Sequence, residues 1–326
     1  MKILITGSLG LVGSEAAHFY LRQGHDVIGI DNNMRRHFFG ENGSVLGNMI
    51  YHKNYQHFGV DISKAEEIFV NEKPNVIIHA AAQPSHDWAA KNPMLDFGIN
   101  AFGTLMLLEM CRNHTPEAVF VYLSTNKVYG DRPNQLALTE YETRYDCPFE
   151  VDETMSVDNC MHSLFGVSKL SGDLLTQEYA RYFGMKTGVF RCGCITGARH
   201  AGAELHGFLS YMVKCKKEKK VYTINGYKGK QVRDNIHAYD LVTAMDEFLR
   251  DPKPGMVFNM GGGRHSNISV LEALNKLDMK DWEYTDVPRK GDHQWYISDV
   301  RKFKKHYPDW NYMYDMESIL ENLISA

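Results

Sequence analysis

The feature that most constrains this fold is a set of three regularly spaced glycines, Gly7, Gly10 and Gly13. They follow an apolar run at residues 2–5 and precede residues 12–22, whose apolar positions recur every three to four residues. This pattern predicts a buried strand, a tight turn and an amphipathic helix. Glycine lets such a turn close, lets backbone approach a pyrophosphate, and lets the helix pack against the strand. The sequence therefore predicts a dinucleotide-binding turn.

Residues around this turn are predicted to hold the dinucleotide. Asp31 ends the second predicted strand, 18 residues after Gly13. There its carboxylate can accept hydrogen bonds from the ribose hydroxyls and would repel a 2′-phosphate. This favours NAD over NADP, although Arg35 and Arg36 follow closely and keep the choice open. Asp61 is placed to contact adenine, and its alternative role is a helix N-cap. The predicted cofactor residues in this part of the chain are Gly7, Leu9, Gly10, Leu11, Val12, Gly13, Asp31, Asn32, Asn33, Arg35, Asp61 and Ile62.

Strands and helices are predicted to alternate through about the first 190 residues. Consecutive apolar residues, typical of strands covered on both faces, occur at residues 2–5, 27–30, 76–78, 119–123 and 187–190. Helical spacing occurs at residues 12–22, 64–71, 100–112 and 164–182. This order predicts an α/β protein with a Rossmann-type, doubly wound parallel sheet.

A change of pattern near residue 192 predicts a second domain. Strands become sparser there, and charged helices are predicted at residues 205–217 and 239–250. We predict an NAD-binding Rossmann domain at residues 1–191. Residues 192–326 are predicted to form a smaller mixed α/β domain that mainly binds substrate, with some elements returning to the Rossmann core.

Composition excludes several classes of protein. The chain has 326 residues, 44% of them hydrophobic and 23% charged, with a net charge of −4. This excludes a disordered chain and predicts neither nucleic acid nor membrane as a partner. No apolar stretch is expected to span a bilayer, and no signal peptide is predicted. The six cysteines match no zinc spacing, so we predict reduced thiols, no metal and a cytoplasmic location.

Five further motifs resemble one protein family. They lie at residues 79–82 (HAAA), 100–104 (NAFGT), 124–130 (STNKVYG), 231–237 (QVRDNIH) and 257–262 (VFNMGG). Together they resemble the extended short-chain dehydrogenase/reductase family, the NAD-dependent nucleotide-sugar epimerases and dehydratases, over nearly the whole chain. The resemblance implies NAD, a CDP-, UDP- or GDP-linked sugar as substrate, and a homodimer formed through helices 100–112 and 164–182. The cofactor contacts it adds are Ala80, Ala81, Ala82, Asn100, Ser124 and Lys169.

Within that family, the strings at residues 124–131 and 229–234 are most similar to a branch that epimerises carbon 2 of CDP-linked dideoxysugars. In that branch the carbon loses a hydride, the keto sugar reorients, and the hydride returns to the opposite face. Relatives that eliminate water carry Asp-Glu where this chain has Asn126 and Lys127. The resemblance therefore favours an epimerase over a 4,6-dehydratase.

The chain departs from the family at its catalytic pair, Tyr-x-x-x-Lys. Lys169 is present, but Phe165 stands at the tyrosine position, and Leu164 replaces a frequent proline. A spacing of four keeps both side chains on one helical face. Loss of a general base lowers rates by about 10²–10⁴. We interpret the two adjacent changes as natural divergence, with an engineered substitution as the alternative.

Another group must therefore take the proton of the sugar hydroxyl. Lys169 is one candidate, and its alternative role is to bind the nicotinamide ribose. Thr125 is positioned by the resemblance to hydrogen-bond the reacting hydroxyl. His162 has a suitable pKa, and its alternative is a solvated loop histidine. The predicted catalytic residues are Thr125, Lys169, Phe165 as the family tyrosine position, Asn126, Lys127 and His162.

The predicted substrate-binding residues are His86, Thr125, Asn126, Cys194, His206, Arg233, Arg289 and Asp292. Arg233 can pair with diphosphate, or alternatively with its neighbour Asp234. His86 could face the sugar, and Cys194 is either a diphosphate neighbour or a core thiol. No residue distinguishes cytosine from uracil or guanine. The leading hypothesis is an NAD-dependent nucleotide-sugar epimerase; the alternatives are another redox step on such a sugar, or a homologue that only binds the two ligands.

Overall fold

The computed structural model describes residues 1–200, 207–289 and 291–326. The strands in these residues are β1 (Lys2–Thr6), β2 (Asp26–Ile30), β3 (Tyr55–Phe58), β4 (Val76–His79), β5 (Val119–Thr125), β6 (Thr139–Glu140), β7 (Tyr145–Asp146), β8 (Lys186–Cys192), β9 (Cys194–Thr196), β10 (Tyr222–Asn225), β11 (Val232–His237), β12 (Met256–Met260), β13 (Asn267–Ser269), β14 (Trp282–Thr285) and β15 (Trp295–Tyr296).

The α-helices in these residues are α1 (Leu11–Arg22), α2 (Met34–Phe39), α3 (Glu66–Glu72), α4 (His86–Lys91), α5 (Pro93–Phe97), α6 (Gly103–His114), α7 (Leu164–Phe183), α8 (Phe208–Glu218), α9 (Ala238–Arg250), α10 (Val270–Lys276), α11 (Arg301–His306) and α12 (Met316–Ser325). A π-helical turn, Gly98–Phe102, joins α5 to α6.

Seven parallel strands form the main sheet, in the order β12-β8-β5-β4-β1-β2-β3. This confirms the predicted doubly wound parallel sheet. Alternate strand residues face opposite layers, because successive side chains of a strand point to opposite faces. Ile3 packs with α1 and α9 on one face, whereas Leu4 packs with α3 and α6 on the other.

The edge strand β3 was not among the predicted strands. Its sequence is YQHF, and its residues are at most half-buried. An edge strand has a neighbour on one side only, so it needs no continuous run of apolar residues. The prediction relied on such runs and therefore missed it.

The smaller part of the structure is built around β11. It pairs in parallel with β9 and β15 and antiparallel with β13, while β10 pairs with β14. Segments on each side of the predicted boundary after residue 191 pack with the part on the other side. β12 joins the main sheet and α9 packs on α1, whereas Val151 of the first part forms a bridge with Ser298.

Within the described residues one helical stretch, Pro93–His114, is long and apolar enough to cross a membrane. The expectation that no apolar stretch reaches that length therefore does not hold. Half of this stretch is buried inside the protein. Leu107 and Leu108 pack beneath the sheet against Phe120, so a place in the core accounts for the apolar composition of this half.

Candidate active site

A cavity of about 690 Å³ follows the carboxyl edge of the main sheet. Because parallel strands end at the same edge, residues after β1, β2, β4, β5 and β8 all line it. The strand order arranges them from Asp31 after β2, through Gly7 and Ala81, to Thr125 and Gly193. β9 then pairs with β11, and Arg233 of β11 continues the wall. The wall residues thus fall into two regions, one around the glycine turn and one around β11.

The glycine turn leaves no room for side chains. Gly7 has φ +69°, and a Cβ there would lie 2.7 Å from the Ala81 nitrogen. A Cβ on Gly13 would overlap the carbonyl oxygen of Gly7. Helix α1 begins after Gly10, which provides no side-chain cap, so its first N–H groups are available to a phosphate. The turn thus fits the pyrophosphate of a dinucleotide.

Asp31 lies at the end of β2 and organises the neighbouring backbone. Its Oδ2 accepts the Leu9 N–H at 3.0 Å, and its Oδ1 accepts the Asn33 N–H at 2.8 Å. Burial raises the pKa of Asp31, and these two hydrogen bonds oppose that rise. A carboxylate has about four acceptor positions, so Asp31 retains capacity for ribose hydroxyls.

Most of the predicted cofactor residues line the cavity. These are Gly7, Gly10, Leu11, Val12, Gly13, Asp31, Asn32, Arg35, Asp61, Ile62, Ala80, Ala81, Ala82, Ser124 and Lys169. Asn32 donates from Nδ2 to Asp61 Oδ2 at 3.2 Å, which places the two predicted adenine-side residues together. Asp61 also caps the following turn by accepting the Ser63 N–H, so its predicted alternative role is present as well.

Three predicted cofactor residues do not lie on the cavity wall, and these positions need correction. Leu9 donates its backbone N–H to Asp31, and its carbonyl oxygen accepts Asn48 Nδ2 at 2.8 Å. The side chain of Asn33 accepts the Val45 N–H at 2.9 Å and so holds the loop after α2. Asn100 is buried and donates to the Gln83 carbonyl oxygen. The side chains of Asn33 and Asn100 thus bind protein groups, and Leu9 contributes only backbone atoms.

Phe165 and Lys169 both line the centre of the cavity from α7. Ser163 begins this helix by accepting the Gly166 N–H at 3.0 Å. Lys169 Nζ donates to the Leu123 carbonyl oxygen at 2.7 Å and lies 4.2 Å from the Tyr122 ring centroid. Burial lowers the pKa of Lys169 to about 8. The lysine is therefore in place, whereas Phe165 offers no hydroxyl to the cavity.

A polar cluster lines the cavity next to β11. Asp292 accepts Arg233 Nη2 at 2.7 Å, and Lys127 Nζ lies 3.6 Å from the same oxygen. Burial opposes ionisation of Asp292, but Arg233, Lys127 and Arg289 outweigh it and lower the pKa of Asp292 far below its usual value. Burial also lowers the pKa of Lys127 to about 8. The alternative considered for Arg233, an ion pair with Asp234, is not formed; its carboxylate partner is Asp292.

Arg289 lines the same region and donates from Nη2 to Asp87 at 2.8 Å. Cys194 lies on the wall with a buried thiol, and burial raises its pKa to about 11. Such a thiol stays protonated near neutral pH. The cations on this wall can thus hold a diphosphate, while Cys194 adds no charge.

Thr125 and Asn126 complete the centre of the cavity wall. Thr125 Oγ1 donates to Asn126 Oδ1 at 3.4 Å and accepts the Lys127 N–H at 3.3 Å. These short-range bonds fix the turn after β5. The turn thereby presents a hydroxyl, an amide and an ammonium group to the ligand.

His86 is the first residue of α4 and lines the cavity opposite α7. Its ring centroid lies 4.8 Å from that of Phe165, with the rings inclined at 55°. Its Nδ1 atom is buried and makes no hydrogen bond with any described residue. Burial lowers the pKa of His86 to about 3, and Lys127 adds to this effect. The imidazole is therefore neutral.

His162 does not reach the cavity, which corrects its predicted catalytic position. It precedes the N-cap of α7, and its Nε2 donates to the Val128 carbonyl oxygen at 2.8 Å. Its ring also lies beside the Cys160 thiol. His206 lies outside the described residues.

The structure adds wall residues that sequence reasoning missed. Tyr222 and Asn225 of β10 line the cavity, as does Gln231 just before β11. Gln231 is buried, and its Oε1 has no hydrogen-bond partner among the described residues. Its position two residues before Arg233 was a usable signal, because alternate residues of a strand face the same side.

Comparison with known proteins places these features in a family context. Residues 3–261 match a sequence profile described as "NAD dependent epimerase/dehydratase family". CDP-paratose 2-epimerase of Salmonella typhi is 34% identical, over an alignment that covers 95% of this chain and 94% of that protein. dTDP-glucose 4,6-dehydratase 1 of Escherichia coli K12 is 27% identical, covering 93% and 86%.

A solved structure agrees with this result. UDP-glucose 4-epimerase of Thermotoga maritima, solved with UDP-glucose, superposes with a TM-score of 0.82 and 26% sequence identity. The alignment covers 100% of this chain and 98% of that one. The similarity therefore includes both the main sheet and the smaller part around β11.

Proposed function

The chain belongs to the NAD-dependent epimerase/dehydratase family, and we propose that it inverts one carbon of a nucleotide-diphosphate sugar, in the manner of the CDP-sugar 2-epimerases. Membership of the family confirms the predicted cofactor, NAD, and the prediction of an enzyme. The observation that carries the proposal is the continuous cavity, which joins the glycine turn to Lys169 and then to Arg233. Its two regions suit a dinucleotide and a sugar diphosphate.

Bound NAD supplies reversible oxidation, in which a carbon-bound hydrogen leaves with its electron pair and later returns. The glycine turn and Asp31 hold its pyrophosphate and adenosine ribose. Lys169 is placed to hold a ribose hydroxyl while its positive charge remains near the reacting centre. Thr125 orients the sugar hydroxyl, and Arg233 and Arg289 hold the diphosphate. The diphosphate contacts must permit the oxidised sugar to rotate, because inversion requires the hydride to return to the opposite face of the sugar carbon.

The residues after Thr125 support epimerisation over dehydration. Elimination of water needs an acid and a base next to the sugar carbons. Asn126 has no proton-transfer chemistry near neutral pH, and Lys127 already donates to the Gly291 carbonyl oxygen at 3.0 Å. The 34% identity to a 2-epimerase, against 27% to a dehydratase, agrees with this choice.

A proton NMR time course in deuterated water tests the proposal. The enzyme is mixed with NAD and a panel of CDP-, UDP- and GDP-linked sugars. We expect one panel member to be converted to a stereoisomer that carries no solvent deuterium on its carbon atoms, because the same hydrogen leaves and returns. CDP-linked sugars are expected to react best.

Three outcomes would contradict this function. Deuterium beside a keto carbon would indicate enolisation or elimination. Binding of NAD and a nucleotide sugar without conversion would indicate a homologue that only binds its ligands. Net formation of NADH with a stable keto sugar would instead support the second candidate function, that of a dehydrogenase. This candidate is worth testing because Phe165 lacks the hydroxyl that usually accepts the proton.

We also propose a homodimer through the helices around α7. Exposed apolar side chains lie on α5, the adjoining π-turn and α7; they are Met94, Phe97, Phe102, Val167 and Leu174. Apolar surface of this extent favours association. In sedimentation velocity runs, wild type should sediment as a dimer and Leu174→Glu as a monomer, while Leu46→Glu, exposed elsewhere, should remain dimeric. A monomeric wild type would exclude the homodimer.

A further inference from the structure

The absence of a hydroxyl at Phe165 creates a chemical requirement for another proton acceptor. Oxidation of an alcohol carbon releases the proton of its hydroxyl, so a nearby group must accept it. Among the described wall residues, Lys169 Nζ donates to the Leu123 carbonyl oxygen, and Lys127 Nζ donates to the Gly291 carbonyl oxygen. Each lysine thus donates one hydrogen bond to a backbone carbonyl, which fixes its position but leaves its lone pair free in the neutral form.

Two other wall residues are unsuited. The thiol of Cys194 is protonated, since burial raises its pKa to about 11. The hydroxyl of Thr125 is a weak base and already donates to Asn126. A proton acceptor needs a free lone pair, and neither residue has one of sufficient basicity.

His86 has the required free nitrogen. Ser85 holds the start of α4 by accepting the Trp88 N–H at 3.2 Å, which sets the position of His86. Its ring packs on Phe165, and its Nδ1 is buried without a hydrogen bond to any described residue. Gly291 packs beside this nitrogen: an ideal Cβ there would lie 3.6 Å from Nδ1, at ordinary contact distance. Buried polar atoms normally have partners, and one without a partner calls for a ligand.

We propose that His86 accepts the proton of the reacting sugar hydroxyl at Nδ1 and returns it, in place of the tyrosine that the family uses. This inference rests on the proposed function. The O–H bond of the sugar breaks and an N–H bond forms at His86, while the carbon-bound hydrogen leaves with its electron pair for NAD. The reverse transfers restore the hydroxyl, so atoms and electrons balance over the cycle.

The charges around His86 connect its basicity to substrate binding. Burial lowers its pKa to about 3; Lys127 and Arg289 lower it further, and Asp292 opposes them. Helix α7 packs against His86 through the uncharged ring of Phe165. Asp87, the next residue of α4, pairs with Arg289. A bound diphosphate offsets the charges of Lys127 and Arg289. The pKa of His86 then rises, which makes it a stronger base when substrate is present.

The first experiment compares wild type with His86→Phe, which keeps a ring against Phe165 but removes the nitrogen. We expect kcat to fall by about 10²–10⁴ with a much smaller change in KM. His52→Phe replaces an exposed histidine outside the cavity and should leave kcat unchanged. Phe165→Tyr in the His86→Phe background should recover about tenfold or more of the lost rate, because a phenol beside Lys169 restores a proton acceptor.

The outcomes separate this inference from the proposed function. A wild type without epimerase activity contradicts the function itself. An active wild type whose His86→Phe variant keeps its kcat contradicts only the role of His86. A loss in His86→Phe that Phe165→Tyr does not recover assigns His86 to packing, which also overturns the inference.

A second measurement needs no turnover. Imidazole nitrogen NMR of wild type, with the His86 signal assigned from the His86→Phe variant, follows protonation with and without CDP and UDP. We expect the titration midpoint of His86 to rise by about one pH unit or more when either nucleotide binds. Binding by calorimetry with an unchanged midpoint would contradict the link between diphosphate and His86.

Discussion

Gly13 occupies one of the tightest positions in the protein. A Cβ there would overlap the Gly7 carbonyl oxygen, which is backbone and cannot turn aside. We expect Gly13→Ala to lower the free energy of unfolding by about 1–3 kcal/mol, since the turn must shift. NAD affinity should fall about tenfold or more, because the same turn presents its N–H groups to phosphate. Denaturant unfolding and calorimetric titration measure the two effects.

Gly47→Ala is the matched control for this variant. A Cβ on Gly47 has no atom within 4 Å, and this residue does not line the cavity. Its unfolding free energy should change by less than about 0.5 kcal/mol, with NAD affinity unaltered. Equal effects from the two substitutions would show that crowding at Gly13 is unimportant.

The choice between NAD and NADP is expected to depend on the charge of Asp31. Asp31→Asn keeps one acceptor oxygen but removes the negative charge that repels a 2′-phosphate. We expect NAD affinity to fall about tenfold and NADP affinity to change less, which narrows the preference. Calorimetric titration with each nucleotide measures the ratio, and Asp26→Asn, at the exposed start of β2, is the control. A ratio unchanged by Asp31→Asn would assign the preference to other residues.

The strands and helix behind the cavity are joined by one buried ion pair. Asp173 of α7 accepts Arg191 of β8 at 2.9 and 3.0 Å, and it also accepts the Ser124 hydroxyl of β5 at 2.6 Å. Both charged side chains are almost completely buried. The pair thus sets the position of α7, and with it Phe165 and Lys169, relative to the end of β5.

Removal of one member of this pair should be strongly destabilising. We expect Asp173→Ala to lower the free energy of unfolding by about 3–5 kcal/mol, because Arg191 remains charged and buried without its partner. Chemical denaturation measures the loss. Glu178→Ala removes the partner of Arg181 in an exposed pair on the same helix and should cost about 0–1 kcal/mol.

A second variant tests the explanation. The double substitution Asp173→Leu with Arg191→Met removes both charges and should cost less than Asp173→Ala. If the double variant is the less stable of the two, the unpaired charge is not the cause.

Asp234 lies where the two parts of the protein meet. Its Oδ2 accepts the Ser298 N–H at 3.0 Å and the Gly263 N–H at 3.3 Å, and Gly193 and Gly261 pack directly on its carboxylate. Burial raises its pKa from 3.8 to about 6, against the effect of these hydrogen bonds. The carboxylate therefore holds the two parts together at an electrostatic cost that depends on pH.

The sign of this dependence follows from proton linkage. Between pH 4 and 6 the folded state holds more protons at Asp234 than the unfolded state, so the stability falls as pH rises. Between pH 4 and 6, we expect the unfolding free energy of Asp234→Asn to decrease by roughly 2–3 kcal/mol less than that of wild type. Denaturant unfolding at several pH values measures it.

Asp240 provides a further check on this prediction. Burial raises the pKa of Asp240 to about 6 as well, so part of the fall should persist in Asp234→Asn. The double variant with Asp240→Asn should be flatter still. A pH dependence that is the same in Asp234→Asn and wild type would exclude Asp234 as its source.

The strands of the sheet centre were predictable, because burial on both faces requires consecutive apolar residues. The same rule failed for β3, an edge strand that carries Gln56 and His57. The positions of Asn33 and Asn100 were also misjudged. Motif spacing places such residues near a ligand, but the direction of a side chain depends on partners such as Val45 and Gln83, which periodicity does not reveal.

The two candidate histidines show where sequence information ends. Local order along the chain is enough to predict the glycine turn and the acidic residue after β2, since both lie within one strand-turn-helix-strand unit. The missing tyrosine hydroxyl was recognised through the family resemblance. His162 lies three residues from Phe165 but donates to Val128 outside the cavity, whereas His86 lies 79 residues away and packs on its ring. The sequence predicted His86 only as a neighbour of the sugar. Its contact with Phe165 arises when the helices pack over the sheet, so only the tertiary structure shows it.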